Sequence, residues 1–334
     1  MKASAYISVI AFLAIFALNI LYGTVALDMS EILAVIAGAS DNETVEYIIL
    51  QSRLPQALTA MLAGAGLSVS GLLLQTIFHN PLAGPSILGV TNGAGLGVAI
   101  VTMLSGTTFL CEMLNGPVAP IGVFLAALIG AMAVVLLLVF LSTLTDSHLV
   151  LLIAGIMVSY LISSVITLLT FSASESAIQG YVYWGMGDFS LVPLRKIPWL
   201  ASVVLITLLM CLPMMKPLNA LLLGERYAAN LGYSVKKMHV TLLMLVGIQC
   251  AIITALCGPI SFIGLAVPHI TRFIFRTDNF RMLLPMTAVF GSIVAMACNL
   301  MCTAFTETPI PLSAVTPLVC APVVLYLFFS RKVL

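Results

Sequence analysis

The distribution of charged residues constrains this fold more than any other feature of the sequence. Eight segments contain no Lys, Arg, Asp or Glu: residues 3–27, 54–111, 113–145, 147–174, 197–215, 238–271, 282–306 and 308–330. A helix that crosses a bilayer needs about 17–25 predominantly apolar residues, and every one of these segments is long enough for one crossing. A buried helix of a water-soluble protein would be shorter and would carry a polar face. The sequence therefore predicts an all-α polytopic membrane protein.

Two of the charge-free segments are too long for a single crossing. The first breaks at HNPLAGP, residues 79–85, and the second at Cys257-Gly258-Pro259, because Pro and Gly interrupt helices. The prediction is then ten transmembrane helices in one domain that spans residues 1–334. We expect them at about residues 4–23, 56–77, 88–108, 118–141, 149–171, 197–215, 238–256, 260–276, 283–305 and 312–330.

Basic residues are distributed unequally between the two ends of the predicted bundle. With ten crossings both termini lie on one side, and only Arg53, Arg195 and Lys196 of the 13 Lys and Arg residues lie on the other. Cytoplasmic loops carry an excess of Lys and Arg, so both termini are expected in the cytoplasm. The apolar run 3–27 exceeds that of a signal peptide, which predicts an uncleaved first helix.

Missing motifs narrow the function. No Gly-x-x-x-x-Gly-Lys-Ser/Thr loop occurs, so this chain is not expected to bind ATP. No charged side chain lies in the middle of a predicted helix, which argues against an ion-coupled carrier; backbone carbonyls also bind ions, so that alternative stays open. No Gly-x-Ser-x-Gly elbow accompanies the serines near His79, which leaves an intramembrane hydrolase as the weakest alternative.

The histidines and cysteines show no metal-ligand spacing. The four histidines fall near predicted cytoplasmic helix ends and do not converge in the sequence: His79, His148, His239 and His269. The seven cysteines lie in or beside apolar helices and are expected to be small core residues. The histidines are expected to be interfacial or capping residues, and haem or metal ligation by them stays an open alternative. The prediction is no metal, no bound cofactor and no catalytic residue in this chain.

Small residues recur every four positions on two predicted helices. Ala60, Gly64 and Ser68 do so on the second helix, and Gly93 and Gly97 on the third. Such faces let helix backbones approach closely. Tight helix packing is expected at both.

Several longer motifs occur together between about residue 50 and the C-terminus. In chain order they are Arg53-Leu-Pro55, LAGAGLSVSGLLLQTIFHNPLAGPSILGVTNGAG (62–95), Ser-x-x-x-Leu-x-x-Ala-Gly (147–155), Trp-x-x-Gly (184–187), LNALLLGERYAANLG (218–232), GPISFIGLAVPH (258–269) and a Pro-Ile segment (309–316). In combination they resemble the FecCD family, the iron-chelate and vitamin B12 permeases of type II ABC importers. Each short motif alone would be weak.

The resemblance implies a permease subunit of an ATP-driven importer in a bacterial inner membrane. The implied partners are a second copy of this chain, two ATPase subunits that bind ATP and Mg²⁺, an external substrate-binding protein and the lipid bilayer, with no nucleic acid. The expected substrate is an iron chelate, either a siderophore or haem, and cobalamin is the alternative. An ion-coupled secondary transporter is the less favoured interpretation of the same chain.

The family docks onto its ATPase through two short cytoplasmic helices between the sixth and seventh spans. Here they correspond to residues 218–237, the coupling segment. Glu225, Ala228 and Leu231 lie at helical spacing on one face, and glycines flank them. The implied coupling residues are Gly224, Glu225, Arg226, Ala228, Leu231 and Gly232. The alternative is an ordinary solvated loop that carries positive-inside charge.

The family also places a cytoplasmic gate between its fourth and fifth spans. Residues 143–148 occupy that position here and are named the gate loop. The implied gate residues are Thr143, Thr145, Asp146 and Ser147.

At the outside face, family arginines pair with acidic residues of the binding protein. Arg53 matches one of them, whereas Gln56 stands where a second Arg is common. No basic residue lies between Arg281 and Arg331, so a further family arginine is also missing. Arg195 and Lys196 are the expected substitutes in docking.

Overall fold

The structure, a computed structural model, describes residues 2–38, 42–86, 88–104, 119–145, 147–304 and 308–329. Its helices, in chain order, are α1 (Lys2–Leu21), α2 (Met29–Ile36), α3 (Glu43–Tyr47), α4 (Leu54–Ile77), α5 (Val90–Leu104), α6 (Ala119–Leu144), α7 (His148–Ser172), α8 (Glu175–Gly185), α9 (Ile197–Cys211), α10 (Met215–Leu222), α11 (Glu225–Asn230), α12 (Val235–Cys257), α13 (Ile263–Phe275), α14 (Phe280–Thr303) and α15 (Leu312–Phe329). A π-helical turn, Ile48–Arg53, joins α3 to α4, and 3-10 turns at Phe189–Leu191 and Leu194–Lys196 precede α9.

The predicted all-α polytopic fold is confirmed. Within the described ranges, six helical stretches are long and apolar enough to cross a membrane: Glu43–Ile77, Ile121–Leu144, His148–Ser172, Leu194–Cys211, Val235–Cys257 and Phe280–Thr303. Four shorter apolar helices accompany them: Tyr6–Leu21, Val90–Met103, Ile263–Phe275 and Leu312–Leu327. Together they correspond to the ten expected spans. Residues 105–108, 118, 305 and 330 of those spans lie outside the described residues.

Helix α13 is shorter than its predicted span of 260–276. It begins at Ile263 because Gly258 and Phe262 have positive φ angles of +74° and +67°, which interrupt a right-handed helix. It ends before Arg276, whose φ of +49° is left-handed. The span is short because the backbone turns sharply at both of its ends.

Three helices were not predicted: α2, α3 and α8. Helices α2 and α3 lie between α1 and α4, where Ile32, Val35, Val45 and Ile49 form a small apolar cluster. The side chain of Asn42 caps α3 by accepting from the Thr44 N–H at 3.1 Å. These helices are too short for a periodic pattern, so their stability depends on this cluster and on capping.

Helix α4 is the centre of the bundle and packs against α14, α13, α12 and α9. A methyl group at Gly64 would overlap the carbonyl oxygen of Gly291 on α14. One at Gly71 would overlap the carbonyl oxygen of Gly264 on α13. On α5, Gly93 likewise meets the backbone of α6. The small-residue faces therefore form close backbone contacts, as the sequence predicts.

Two contacts define the ends of the bundle. Near the C-terminal end of α6, the Lys236 ammonium donates to the Thr143 carbonyl at 3.0 Å, which brings the start of α12 to that point. Near the N-terminal end of α6, the Lys196 ammonium lies 5.5 Å from the Phe124 ring centroid. The first is called the α11 end, since α11 and α12 are in contact, and the second the opposite end.

Candidate functional site

The coupling segment contains two short helices, α10 and α11. Gly224 lies between them with a φ of +111°, and Gly232 follows α11 with a φ of +87°. Backbone of this kind is open to glycine and strained for other residues. The two glycines therefore fix the ends of α11.

The side chains of α11 divide between the protein interior and its surface. Ala228 has no exposed surface and is covered by its own chain. The small side chain of Ala228 therefore lets α11 approach its own chain closely. The role of Glu225, Ala228 and Leu231 in coupling stays a prediction. The exposed side chains between 222 and 231 are Leu222, Leu223, Arg226, Tyr227, Ala229, Asn230 and Leu231.

Glu225 contacts two histidines. Its Oε1 hydrogen-bonds to His148 Nε2 and lies 3.8 Å from His239 Nε2. The rings of His148 and His239 meet edge to face with centroids 4.6 Å apart, and the His79 ring centroid is 5.7 Å from that of His148. Two of the four histidines thus contact the one carboxylate of α11, and a third, His79, lies beside the ring of His148.

Sequence reasoning missed this cluster. His79 follows α4 and His148 begins α7, while Glu225 begins α11 and His239 lies near the start of α12. Nothing in a linear sequence brings four separate elements together. The available signal was weak: the histidines all fall near helix ends on one predicted face.

The gate loop lies beside this cluster. Thr145 Oγ1 accepts from the Ser147 N–H at 3.1 Å, and Ser147 Oγ accepts from the Val150 N–H at 3.4 Å as the N-cap of α7. Thr143 is exposed and its hydroxyl donates to the Phe140 carbonyl at 2.7 Å. Asp146 lies outside the described residues.

A cavity of about 240 Å³ separates the gate loop from the coupling segment. Its lining includes Thr145, Ser147, His148, Glu225, Lys236 and His239. The expected gate residues Thr145 and Ser147 and the expected coupling residue Glu225 therefore line one cavity at one end of the bundle.

Arg53 is placed differently from its prediction. It is only 5% exposed, and its guanidinium donates to the carbonyls of Ile20, Leu21 and Val25. Arg53 thus binds its own chain, at the C-terminal end of α1 and at Val25 just beyond it. A helix end leaves carbonyls without helical partners, which is the physical reason for this contact. Docking of a partner protein through Arg53 stays a prediction.

Arg195 and Lys196 occupy the 3-10 turn before α9, at the opposite end. Arg195 is exposed, whereas Lys196 is partly covered and lies over the Phe124 ring. Of the three basic residues expected at the docking face, Arg195 is therefore the one whose side chain is exposed.

The sequence matches the model of the FecCD transport family over residues 11–330. The chain belongs to the FecCD transport family. The proteins of this family are permease subunits of ABC importers, and the ten apolar helices found among the described residues of this FecCD chain agree with that role.

Relatives of this FecCD chain are found among bacterial import systems. It is 32% identical over 286 residues to the vitamin B12 import system permease protein BtuC of Salmonella paratyphi A, a match that covers 85% of this chain and 84% of the relative. It is also 32% identical to the proteins of the same name from Escherichia coli O9:H4 (strain HS), with 86% and 85% covered, and from Pectobacterium atrosepticum, with 86% and 84% covered.

Solved structures share the fold of this FecCD chain. An inward-facing metal-chelate-type ABC transporter is similar with a TM-score of 0.85 and 26% identity, over 99% of this chain and 100% of that one. PsaBC from Streptococcus pneumoniae, solved with a Fab, is similar with a TM-score of 0.51 and 15% identity, over 90% and 96% of the two chains. The second likeness concerns the fold alone.

Proposed function

We propose that this permease works as a homodimer with two ATPase subunits and an external binding protein, and that it imports a bulky metal chelate. The chelate is an iron siderophore or haem, and cobalamin is the second candidate. The similar vitamin B12 permeases favour the corrinoid, and the similar metal-chelate-type transporter favours a metal chelate in general. ATP and Mg²⁺ bind to the ATPase, and both termini lie in the cytoplasm of a bacterial cell.

The observation that carries the proposal is a polar stripe on the side of α7. Tyr160, Ser163, Ser164 and Thr167 are exposed and recur at i, i+3, i+4 and i+7, which places them on one helix face. Polar residues within membrane helices commonly face a protein interior or a water-filled cavity. A second copy of the chain opposite this stripe would close a water-lined path between the two α7 helices.

A metal chelate suits such a path. The stripe offers hydroxyl groups and no fixed charge, so a bulky solute can be solvated without being held by a strong opposite charge. The hydroxyls of Ser164 and Thr167 donate to Tyr160 and Ser163 carbonyls at 3.0 and 2.9 Å, which leaves their oxygens free to accept.

ATPase docking is proposed at the α11 end. Leu223, Tyr227 and Leu231 are 68%, 47% and 55% exposed; Tyr227 lies on α11, and the two leucines flank it. An amphipathic helix of this kind binds by laying apolar side chains into a groove of its partner. Arg226 lies beside them and is available for an acidic residue of that groove.

Binding-protein docking is proposed at the opposite end, with Arg195 as the basic contact. The described acids that are exposed there are Asp28, Glu43, Glu46 and Glu175. The proposed surface is thus mainly acidic with one exposed arginine. Complementary charges on the partner would govern encounter more than final affinity.

The test is uptake into proteoliposomes that contain the permease, its ATPase and its binding protein. ⁵⁷Co-cobalamin, a ⁵⁵Fe-siderophore and ⁵⁵Fe-haem are offered separately, with ATP or without it. We expect ATP-dependent uptake of at least one of the three. The double variant Tyr227→Asp/Leu231→Asp should abolish it, whereas the apolar control Tyr227→Phe/Leu231→Met should retain it. Uptake that needs a proton or sodium gradient and no ATP would refute the proposal.

A further inference from the structure

The cluster at the α11 end has the composition of a metal site. His148 Nε2, His239 Nε2 and a Glu225 carboxylate oxygen all lie within 4.8 Å of one another. Imidazole nitrogen and carboxylate oxygen are ligands that first-row divalent metals accept, and two histidines with one glutamate are a common set for Zn²⁺. The two imidazole nitrogens and the carboxylate oxygen can therefore bind a metal ion as well as share a hydrogen bond.

One of the spacings in the cluster is close to what one ion requires. Bonds of about 2.0–2.2 Å to nitrogen and oxygen place neighbouring ligand atoms of a tetrahedral ion about 3.3 Å apart. The 3.8 Å between His239 Nε2 and Glu225 Oε1 is near that value. His148 Nε2 and Glu225 Oε1 are in direct hydrogen-bond contact, which is closer than two ligands of one ion lie. Side-chain rotation has to separate these two atoms before the three donor atoms can surround a single centre.

One donor atom has no other use among the described residues. His239 Nε2 is buried and makes no hydrogen bond within that part of the chain, although it points at the Glu225 carboxylate. A buried nitrogen without a partner costs free energy, because it loses its hydrogen bonds to water and gains no bond within the protein. A metal ion at this point would satisfy it.

The surroundings allow an ion to enter. Glu225 is 40% exposed, and the cavity of about 240 Å³ opens beside it. The nearest cation in the cavity lining, Lys236, donates to the Thr143 carbonyl at 3.0 Å. His79 lies outside the three-residue set but close to His148, so a fourth ligand can be either water or this imidazole.

We propose that His148, Glu225 and His239 bind one transition-metal ion of the Zn²⁺ class. The ion joins the start of α11 to α7 and to α12, and so restrains the coupling segment. Metal binding is independent of the proposed function, whereas the effect of the metal on coupling rests on it.

Metal binding is tested on the purified permease alone, in detergent, with an affinity tag that contains no histidine. Co²⁺ is the probe, because its visible absorption reports nitrogen and oxygen ligands, and Zn²⁺ is the competitor. We expect one Co²⁺ per chain, displaced by Zn²⁺. Since loss of even an outer partner of a ligand costs about 10–100-fold in affinity, His148→Gln and His239→Gln should each weaken binding at least that much.

The matched control is His269→Gln. His269 is the fourth histidine, lies outside the set and hydrogen-bonds to the Pro81 carbonyl at 2.8 Å. Its replacement should leave Co²⁺ affinity unchanged. Zn²⁺ should also raise the melting temperature of the wild type and of His269→Gln, but not of His148→Gln, because a ligand stabilises only a fold that binds it. No stoichiometric Co²⁺ binding, or binding that survives both cluster variants, would overturn the site.

The restraint is tested in the assembled importer. ATP hydrolysis is measured with and without chelator-buffered Zn²⁺, and the ratio is compared between the wild type and His148→Gln/His239→Gln. We expect Zn²⁺ to slow the wild type at concentrations that leave the double variant unaffected. Equal inhibition of both would overturn the restraint. Co²⁺ binding to the purified permease is measured without transport, so a failure of the proposed function would not change that result.

Discussion

At the scale of single residues, Arg53 is the clearest case of a charge held inside an apolar protein. It is nearly buried, and its guanidinium donates to two carbonyls at the end of α1 and to the Val25 carbonyl just beyond it. Helix C-termini carry partial negative charge, so an arginine there is stabilised by both hydrogen bonds and the helix dipole. A residue predicted to bind another protein therefore supports the fold.

Replacing Arg53 should destabilise the protein. For Arg53→Gln we expect the free energy of unfolding to fall by at least about 2 kcal/mol, since a hydrogen bond to a charged group contributes about 1.5–3 kcal/mol. Denaturant or thermal unfolding of the purified permease in detergent measures it. Arg195→Gln is the control, because Arg195 is exposed and its loss should change stability by no more than about 0.5 kcal/mol. Equal stability of the two variants would contradict the role of Arg53.

The sequence identified Arg53 as exceptional but could not assign its partner. An arginine beside Pro55 at the start of a predicted span is visible in the sequence, whereas the carbonyls it binds lie 28 to 33 residues earlier and become available only where α1 ends. The cluster around Glu225 was missed for the same reason, separation along the chain, because Glu225 is 77 residues away from His148.

At the scale of elements, backbone contacts between glycines decide how the helices pack. Gly64 and Gly291 join α4 to α14, and Gly71 and Gly264 join α4 to α13. Because lipid is as apolar as a leucine side chain, association of membrane helices depends on such close packing and not on the hydrophobic effect. A single methyl group at these points separates two helices.

The corresponding prediction is that Gly71→Ala destabilises the fold. The added methyl group would overlap the Gly264 carbonyl oxygen, and overpacking typically costs about 1–3 kcal/mol. The matched control is Gly180→Ala on α8, where no atom lies within 4 Å of the added group. Alanine is favoured over glycine inside a helix by about 0.8–1 kcal/mol, so the control should be unchanged or more stable. Melting temperatures in the same detergent compare the two, and a Gly71→Ala protein as stable as wild type would be inconsistent with this contact.

Element existence was predictable, and element partners were not. Charge-free length, together with the Pro and Gly breaks at 79–85 and 257–259, predicted the ten apolar helices that the described residues show. The four-residue spacing of small residues predicted which faces are close-packed. The spacing of Gly64 and Ser68 cannot reveal that their partner is α14, because Ser68 and its acceptor Thr287 are separated by 219 residues. Helices α2, α3 and α8 were missed since short helices lack a periodic signal.

At the scale of the whole molecule, the exposed polar stripe on α7 is favourable only if an assembly turns it toward water. A single chain would present Ser163, Ser164 and Thr167 to lipid, where polar groups gain nothing. The proposed homodimer turns the same surface toward water. The side chains that are exposed on α7 of one protomer would then line the water-filled path between the two protomers.

Water along that path can be detected with added cysteines. In the membrane-embedded importer, Ser164→Cys should react with a water-soluble maleimide, whereas Leu136→Cys should not. Leu136 is 54% exposed on α6 and serves as the lipid-facing control. The six cysteines among the described residues are buried, and labelling of the wild type gives the background. Similar reaction rates at the two positions would count against a water-lined path beside α7.

The burial of α4 has a consequence for how the protein is made. Ser68 of α4 donates to the Thr287 carbonyl, 219 residues later in the chain, and Gln75 donates to the Leu265 carbonyl, 190 residues later. A ribosome adds about 5–20 residues per second, so it needs about 10–45 seconds to proceed from Ser68 to Thr287. Throughout that interval the polar side chains of α4 lack those native partners. Nascent chains that stop before α14 should therefore be recognised by membrane quality-control proteases through α4.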